Sequence, residues 1–206
     1  MKIIALNKNN VESVASQCAD SILAGNLVIA PFDTVYGFLC DPKDDKCLNK
    51  IFKLKKRKFN KTIGLTVTNI DIIAQLTDLN QTNKKFIAGK IPGPYTFILP
   101  TKNNIGVSSQ CIKDNNLGIR VPDNKLIHDI SEKCDGYLAQ TSANVSGEQN
   151  CYSLAEIVNQ FHDDLDDVDL IIDGGAIVPE PSSVISLIDD TIELIRIGKG
   201  DVSAFI

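Results

Sequence analysis

Short apolar runs rich in β-branched residues alternate along the chain with stretches in which apolar residues recur every three or four positions. Residues 10–25 show the helical spacing and end at Gly25, a typical helix stop, and residues 27–32 (LVIAPF) fit a buried strand. A second helical face follows, formed by Cys47, Leu48, Ile51, Phe52 and Leu54. This alternation predicts a mixed α/β domain.

Further apolar runs raise the number of predicted strands to about eight. They lie at 62–67, 92–99, 117–122, 137–144, 170–175, 183–188 and 192–198. Helical patterns are found twice within 69–90, and at 124–134 and 153–161. Only Asp-Asp-Thr separates the last two strands, which is too short for a crossover helix. We therefore expect an antiparallel hairpin there and a mixed sheet.

Composition narrows the class of protein. The chain shows no linker or internal repeat and fits one soluble domain over 1–206, and its apolar runs are too short to span a bilayer, so we expect a cytoplasmic protein. The six cysteines are scattered without a C-x-x-C pair, which favours free thiols over a zinc site or disulfides. The acidic stretch 162–169 is typical of a solvated loop or helix face.

One short segment is strongly basic although the net charge is −5: KLKKRKFNK, at 53–61, holds six lysines or arginines. Lys55 and Arg57 flank Lys56, so in an extended turn both side chains could face one pocket. Two interpretations stay open. The segment is a solvated helix end, where cations interact favourably with the helix dipole, or it is the wall of an anion site, where arginine and lysine bind phosphate.

TSAN, at 141–144, follows a predicted strand and allows the same two kinds of interpretation. Hydroxyl and amide groups at a strand end contact phosphates or bases in α/β folds, and they also cap helices through Asx-type turns. Neither a G-x-G-x-x-G nor a G-x-x-x-x-G-K-[ST] motif is present, so the two common nucleotide fingerprints do not apply.

Eight motifs in order carry a resemblance: PFDTVYGF (31–38), KIFKLKKR (50–57), IPGPYTFIL (91–99), GIRVPDN (118–124), TSANVSG (141–147), IIDGG (171–175), PSSVISL (181–187) and LIRIGKG (194–200). This series resembles the YrdC-like family of L-threonylcarbamoyladenylate synthases, in its short single-domain form. The resemblance implies a twisted, mixed parallel and antiparallel β-sheet flanked by helices around a concave, positively lined cavity. It also implies ATP, L-threonine and bicarbonate or CO2 as substrates, Mg²⁺ as the metal, and partner proteins that transfer the product to tRNA as t6A37.

The resemblance assigns roles to individual residues. The K-x-R pair Lys55 and Arg57 would be catalytic and bind ATP together with Ser142, Asn144 and Arg196. The threonine site would comprise Thr34, Tyr36, Arg120 and Ser182. Metal ligands stay unassigned.

Several positions depart from the family pattern, and other functions remain open. The departures are Phe32, Phe38, Thr62 and Pro181. A paralogous branch without threonine-dependent activity and a double-stranded RNA-binding protein are the alternatives to the synthase. The related carbamoyl-adenylate chemistry of hydrogenase maturation occurs in longer chains with zinc-finger cysteines, which this sequence does not contain.

Overall fold

The computed structural model describes residues 1–58, 61–178, 180–189 and 191–203. Within these ranges the helices are α1 (Val11–Leu23), α2 (Asp45–Leu54), α3 (Ile70–Leu76), α4 (Gln81–Ala88), α5 (Lys125–Glu132) and α6 (Leu154–Phe161). The strands are β1 (Lys2–Ala5), β2 (Val28–Pro31), β3 (Tyr36–Cys40), β4 (Gly64–Val67), β5 (Tyr95–Pro100), β6 (Ile112–Lys113), β7 (Asn116–Arg120), β8 (Tyr137–Ser142), β9 (Leu170–Asp173), β10 (Ser183–Ser186) and β11 (Glu193–Arg196).

All these strands belong to one mixed sheet, as predicted. Their order is β1-β9-β2-β3-β8-β4-β7-β5-β10-β11, and β6 pairs with β7 outside this path. The pairs β1–β9, β2–β9, β4–β7 and β5–β10 are parallel, and the others are antiparallel. The expected hairpin between the last two strands is confirmed, with Ser186 opposite Glu193.

Helices cover both faces of the sheet, because successive strand residues point to opposite sides. In β2, Val28 and Ala30 pack into the core formed with α1 and α5, whereas Ile29 packs into the core formed with α2, α3, α4 and α6. The five apolar residues that define the helical face of α2 are all buried. The predicted α/β architecture with flanking helices is therefore confirmed.

Three strands have no counterpart among the predicted ones. Strand β1 is short and largely exposed, β6 has two residues, and every residue of β3 is buried, so none of them shows the alternation that marks a half-buried strand. The acidic stretch contains a 3-10 helix at His162–Asp167. All six cysteines are buried and free. Over the described ranges, no helix has the length and apolar character needed to cross a membrane.

Candidate active site

A cavity of about 250 Å³ lies on one face of the sheet. The strand register explains why residues from several strands line its base. Gly64 pairs with Gln140, and Val184 pairs with both Thr96 and Arg196. Residues paired directly across strands share a face of the sheet. Gln140 lies two residues beyond Leu138, which packs against the α1 and α5 core, so the cavity opens on that same face.

The cavity wall carries three arginines, Arg57, Arg120 and Arg196, and no acidic residue among the described lining residues. Burial lowers the pKa of all three guanidinium groups. The other polar lining side chains are hydroxyls and amides, namely Thr34, Thr62, Thr96, Gln140, Thr141, Ser142, Asn150 and Ser182. The predicted concave, positively lined cavity is therefore present.

Arg120, at the end of β7, is held by the loop between β2 and β3. Its Nη2 donates to both carboxylate oxygens of Asp33, at 2.8 and 2.9 Å, and its Nη1 donates to Thr34 Oγ1 at 3.0 Å. The two ion-paired side chains are 4% and 11% exposed, so this is a buried salt bridge. Burial lowers the pKa of Arg120, Asp33 acts in the opposite direction, and the charge of Arg196 lowers the pKa further.

Arg196 and Ser182 form a second, hydrogen-bonded part of the wall. Arg196 donates from Nε and Nη2 to the Ser182 main-chain oxygen and from Nη2 to Ser182 Oγ, at 3.1, 2.7 and 3.2 Å. Ser182 Oγ also shares a hydrogen bond of 2.9 Å with Thr96 Oγ1. Gly198 permits this closure, because a Cβ at that position would lie 2.2 Å from the main-chain oxygen of Pro181.

Beyond the end of α2, the residues of the basic segment differ in their surroundings. Arg57 lines the cavity and is held by two main-chain oxygens, since Nε donates to Lys61 O at 3.2 Å and Nη2 donates to Thr62 O. Lys56 and Lys58 are exposed to solvent. Arg57 thus belongs to the wall of the cavity, and its two neighbours are solvated.

Lys55 has a different environment, because it is 1% exposed and lies behind the loop that follows β8. Its Nζ donates to the main-chain oxygens of Ser142 and Asn144, the latter at 2.8 Å, and to Asn144 Oδ1 at 3.1 Å. Ser142 Oγ donates to Asn144 Oδ1 at 2.6 Å. Burial, with a smaller effect of Arg57, lowers the pKa of Lys55 to about 7. Lys55 and Asn144 therefore fix the position of Ser142, which lines the cavity.

Tyr36 is fully buried and also lies outside the cavity wall. Its hydroxyl donates to Gly175 O at 2.8 Å and accepts from Gly174 N at 2.9 Å. Burial raises the pKa of this hydroxyl. Tyr36 thus connects the start of β3 to the turn after β9, directly after the loop that carries Thr34 into the site.

Of the nine predicted site residues, six meet in the cavity wall and three support it from behind. The lining residues are Thr34, Arg57, Arg120, Ser142, Ser182 and Arg196. The supporting residues are Tyr36, Lys55 and Asn144.

The prediction omitted Asp33, the partner of Arg120, and Gln140, a polar residue within the apolar run YLAQTS. It also omitted Lys199, whose Nζ donates to the main-chain oxygen of Asp33 at 2.7 Å. An amide within an apolar run was a usable signal for Gln140, whereas the contacts of Asp33 with Arg120 and Lys199 join distant parts of the chain.

The four departures from the family pattern have identifiable contacts. The guanidinium of Arg120 lies 5.9 Å from the ring centroid of Phe32, within cation–π range. Phe38 packs edge-on to Phe161, and Lys55 Nζ lies 5.9 Å from the Phe38 centroid. Thr62 and Pro181 both line the cavity. Across the described residues, no group of three or more His, Cys, Asp or Glu side chains is arranged to hold a metal ion.

The fold and the cavity together define an α/β protein with an arginine-lined site on a twisted mixed sheet. The chain belongs to the Sua5/YciO/YrdC family, since the model of that family, described as telomere recombination, matches residues 20–198. A relative from Methanocaldococcus jannaschii carries the provisional name threonylcarbamoyl-AMP synthase. It is 34% identical over 199 residues, which make up 96% of this chain and 92% of the relative.

Solved structures share the fold over almost the whole chain. P. abyssi Sua5 complexed with L-threonine superposes with a TM-score of 0.87 at 24% identity, over 96% of this chain. The present chain spans 58% of that protein. E. coli YciO superposes with a TM-score of 0.88 at 24% identity, over 100% of this chain and 99% of its own. At these identities the superpositions describe the fold alone.

Proposed function

We propose that this protein is an L-threonylcarbamoyladenylate synthase. It would make L-threonylcarbamoyl-AMP and pyrophosphate from L-threonine, ATP and bicarbonate or CO2. The observation that carries the proposal is the convergence of Arg57, Arg120 and Arg196 with Ser142 and Ser182 on one cavity. Three cations with hydroxyl donors suit a site that binds a carboxylate and a polyphosphate side by side.

The nucleotide would lie on the side of Arg57, Ser142 and Arg196. A guanidinium presents its donors in a planar fork that matches phosphate oxygens. Lys55 and Asn144 would act on this side by holding the Ser142 main chain, because their polar atoms contact the loop and not the cavity. Mg²⁺ would enter as part of the substrate, bound to the ATP phosphates.

The amino acid would lie on the side of Thr34, Arg120 and Ser182. Arg120 is the cation for the threonine carboxylate, and Asp33 fixes its orientation. The hydroxyls of Thr34 and Ser182 would complete the polar contacts. Tyr36 would contribute through its anchor to the turn after β9.

The chemistry would require positioning and charge neutralisation more than covalent catalysis. The threonine amine takes up bicarbonate with loss of water, or CO2 with loss of a proton, to form a carbamate. A carbamate oxygen then attacks the α-phosphorus of ATP, and the bond to the bridging oxygen breaks to release pyrophosphate. Arginines that are already in place stabilise the charge that moves onto the leaving group. The product would pass in the cytoplasm to proteins that transfer the threonylcarbamoyl group to adenosine 37 of tRNA.

Pyrophosphate release from ATP by the purified protein tests this proposal. L-threonine and bicarbonate are each added or withheld, and L-serine replaces threonine as the matched control. We expect release only when both are present, with serine a poor substitute. Release that is independent of threonine would refute the synthase.

A second candidate is a family member without threonine-dependent activity, which is favoured by the departures from the family pattern around the cavity, since Thr62 and Pro181 line it and Phe32 lies against Arg120. In that case ATP binds without threonine-dependent turnover. The exposed Lys56 and Lys58 beside the cavity make double-stranded RNA the next ligand to test in that outcome. Binding that falls steeply with salt would identify it.

A further inference from the structure

We propose that the protein has a second small-molecule site, for a ligand with a flat apolar body and one ammonium group. The site is a cavity of about 730 Å³ at the carboxyl ends of β4 and β7. Its volume falls within the range of about 300–1,000 Å³ that is usual for small-molecule pockets. None of its described lining residues lines the candidate active site.

The sheet topology favours a ligand at this place. Strands β4 and β7 are parallel neighbours, with Leu65 opposite Ile119. Strand β4 leads to α3, which packs into the core on one face, whereas β7 leads to α5, which packs into the core on the other face. Where the helices that follow adjacent parallel strands diverge to opposite faces, a crevice opens outside the strand ends, and ligands of α/β proteins bind there.

The walls of this crevice are mainly apolar. They are formed by Ile70, Ala88, Ile91, Pro92, Val121 and Pro122. A ring system that enters between them would remove apolar surface from water on both of its sides, which is the main source of affinity in such pockets.

The ionisable lining residues lie at the N-terminal end of α5, and their charges determine which sign of ligand charge the cavity favours. They are Asp123, Lys125, Asp129 and His128. Lys125 is engaged by Asp129 at 2.6 Å, so the carboxylate of Asp123 is the excess charge among the aspartate and lysine side chains of the described lining. Charge complementarity therefore favours a cation over an anion at this end.

The second cavity lies directly behind the arginine that we place in the amino-acid site. Val121 and Pro122 follow Arg120 in the chain, and Gly93, next to Pro92, donates to Val121 O at 2.8 Å and accepts from Arg120 Nη2 at 3.4 Å. Asp123 N donates to Asp33 at 3.3 Å. A ligand that displaces the segment 121–123 would therefore also change the Asp33–Arg120 pair.

Titration with tryptamine tests the site directly. Backbone amide shifts are followed by NMR on the purified full chain, without ATP or threonine. We expect saturable shifts that centre on 68–70, 88–92 and 121–129. Indole-3-propionate has the same ring and linker but a carboxylate, and we expect it to bind about tenfold more weakly, which corresponds to about 1.4 kcal/mol.

Two tryptophan variants on one helix locate the binding. Ala88 is exposed and lines the cavity, so Ala88→Trp places an indole in part of the cavity, and we expect tryptamine affinity to fall at least about tenfold. Thr82, also exposed on α4, lies outside the cavity lining, and Thr82→Trp should bind like the wild type. Asp123→Asn should weaken tryptamine binding and leave that of indole-3-propionate unchanged or improved.

Three results would overturn the proposal. They are the absence of saturable shifts, equal binding by the wild type and Ala88→Trp, and equal affinity for the amine and the acid. None of these measurements depends on turnover, so the synthase and the second site are refuted by different experiments.

Discussion

The Nζ atom of Lys55 lies 2.8 Å from the main-chain oxygen of Asn144, 89 residues further along the chain. The basic segment at the end of α2 therefore supplies an internal contact as well as a cavity wall. Lys55 fixes the Ser142–Asn144 loop, Arg57 faces the cavity, and Lys56 and Lys58 are solvated. The interpretation as a solvated helix end holds for Lys56 and Lys58, the interpretation as an anion-site wall stays a prediction for Arg57, and the internal contact of Lys55 belongs to neither.

Lys55→Met should destabilise the protein. The substitution keeps most of the apolar side chain but leaves the buried oxygens of Ser142 and Asn144 without their donor. An unsatisfied buried polar group costs about 1–3 kcal/mol, and we expect a loss of about 2–4 kcal/mol in the free energy of unfolding, measured by urea denaturation at pH 7. Lys56→Met, at the exposed neighbour, should change it by less than about 0.5 kcal/mol. Equal free energies of unfolding for the two variants would exclude a stabilising role for the Lys55 hydrogen bonds.

The contribution of Lys55 should depend on pH. Burial lowers its pKa in the folded protein to about 7, from an ordinary value of 10.5. Between these values the unfolded chain binds more protons than the folded one, so the free energy of unfolding rises with pH. The difference between wild type and Lys55→Met should therefore increase from pH 7 to pH 9, by at most about 1.4 kcal/mol per pH unit. A difference that stays constant would mean that Lys55 remains charged in the folded protein.

Arg57→Ala should lower the rate of threonine-dependent pyrophosphate release about a hundredfold. One positioned charge contributes about 3 kcal/mol to transition-state stabilisation in sites of this kind. Arg57→Lys keeps the charge but loses the planar set of N–H donors of the guanidinium, so we expect an intermediate rate. Lys58→Ala, at an exposed neighbour, should retain the wild-type rate. Loss of activity in Lys58→Ala as well would indicate a general charge effect of the segment.

Asp33→Asn should cost about 3–5 kcal/mol in the free energy of unfolding. It removes one partner of the buried pair with Arg120 and leaves that guanidinium without a counter-charge. Asp135→Asn is the matched control. The side chains of Asp135 and its partner Lys43 are 76% and 44% exposed, so this ion pair should contribute less than about 1 kcal/mol. Urea denaturation of both variants measures the contrast, and similar small losses would show that solvent screens the Asp33–Arg120 pair.

Local pattern was sufficient to predict most helices and strands. The apolar spacing of α1 and α2 marked their buried faces, and the short Asp-Asp-Thr connection required the final hairpin. Strand β3 was missed because YGFLC shows no alternation and contains none of the β-branched residues that marked the equally buried β2. Strand β6 was missed because two residues are too few to form a pattern, and β1 was missed because it is largely exposed and does not alternate in burial.

For the site, residue type and motif order identified all three arginines of the cavity wall, since charge and donor geometry belong to the side chain itself. The sequence determined which chemical groups are present and which local elements carry them. Only the tertiary structure decided that Asp33 meets Arg120 across 87 residues and that Lys55 is buried behind Ser142. The order of strands in the sheet brings these distant segments together, and the environment of a charge depends on those neighbours more than on the residues beside it in the chain.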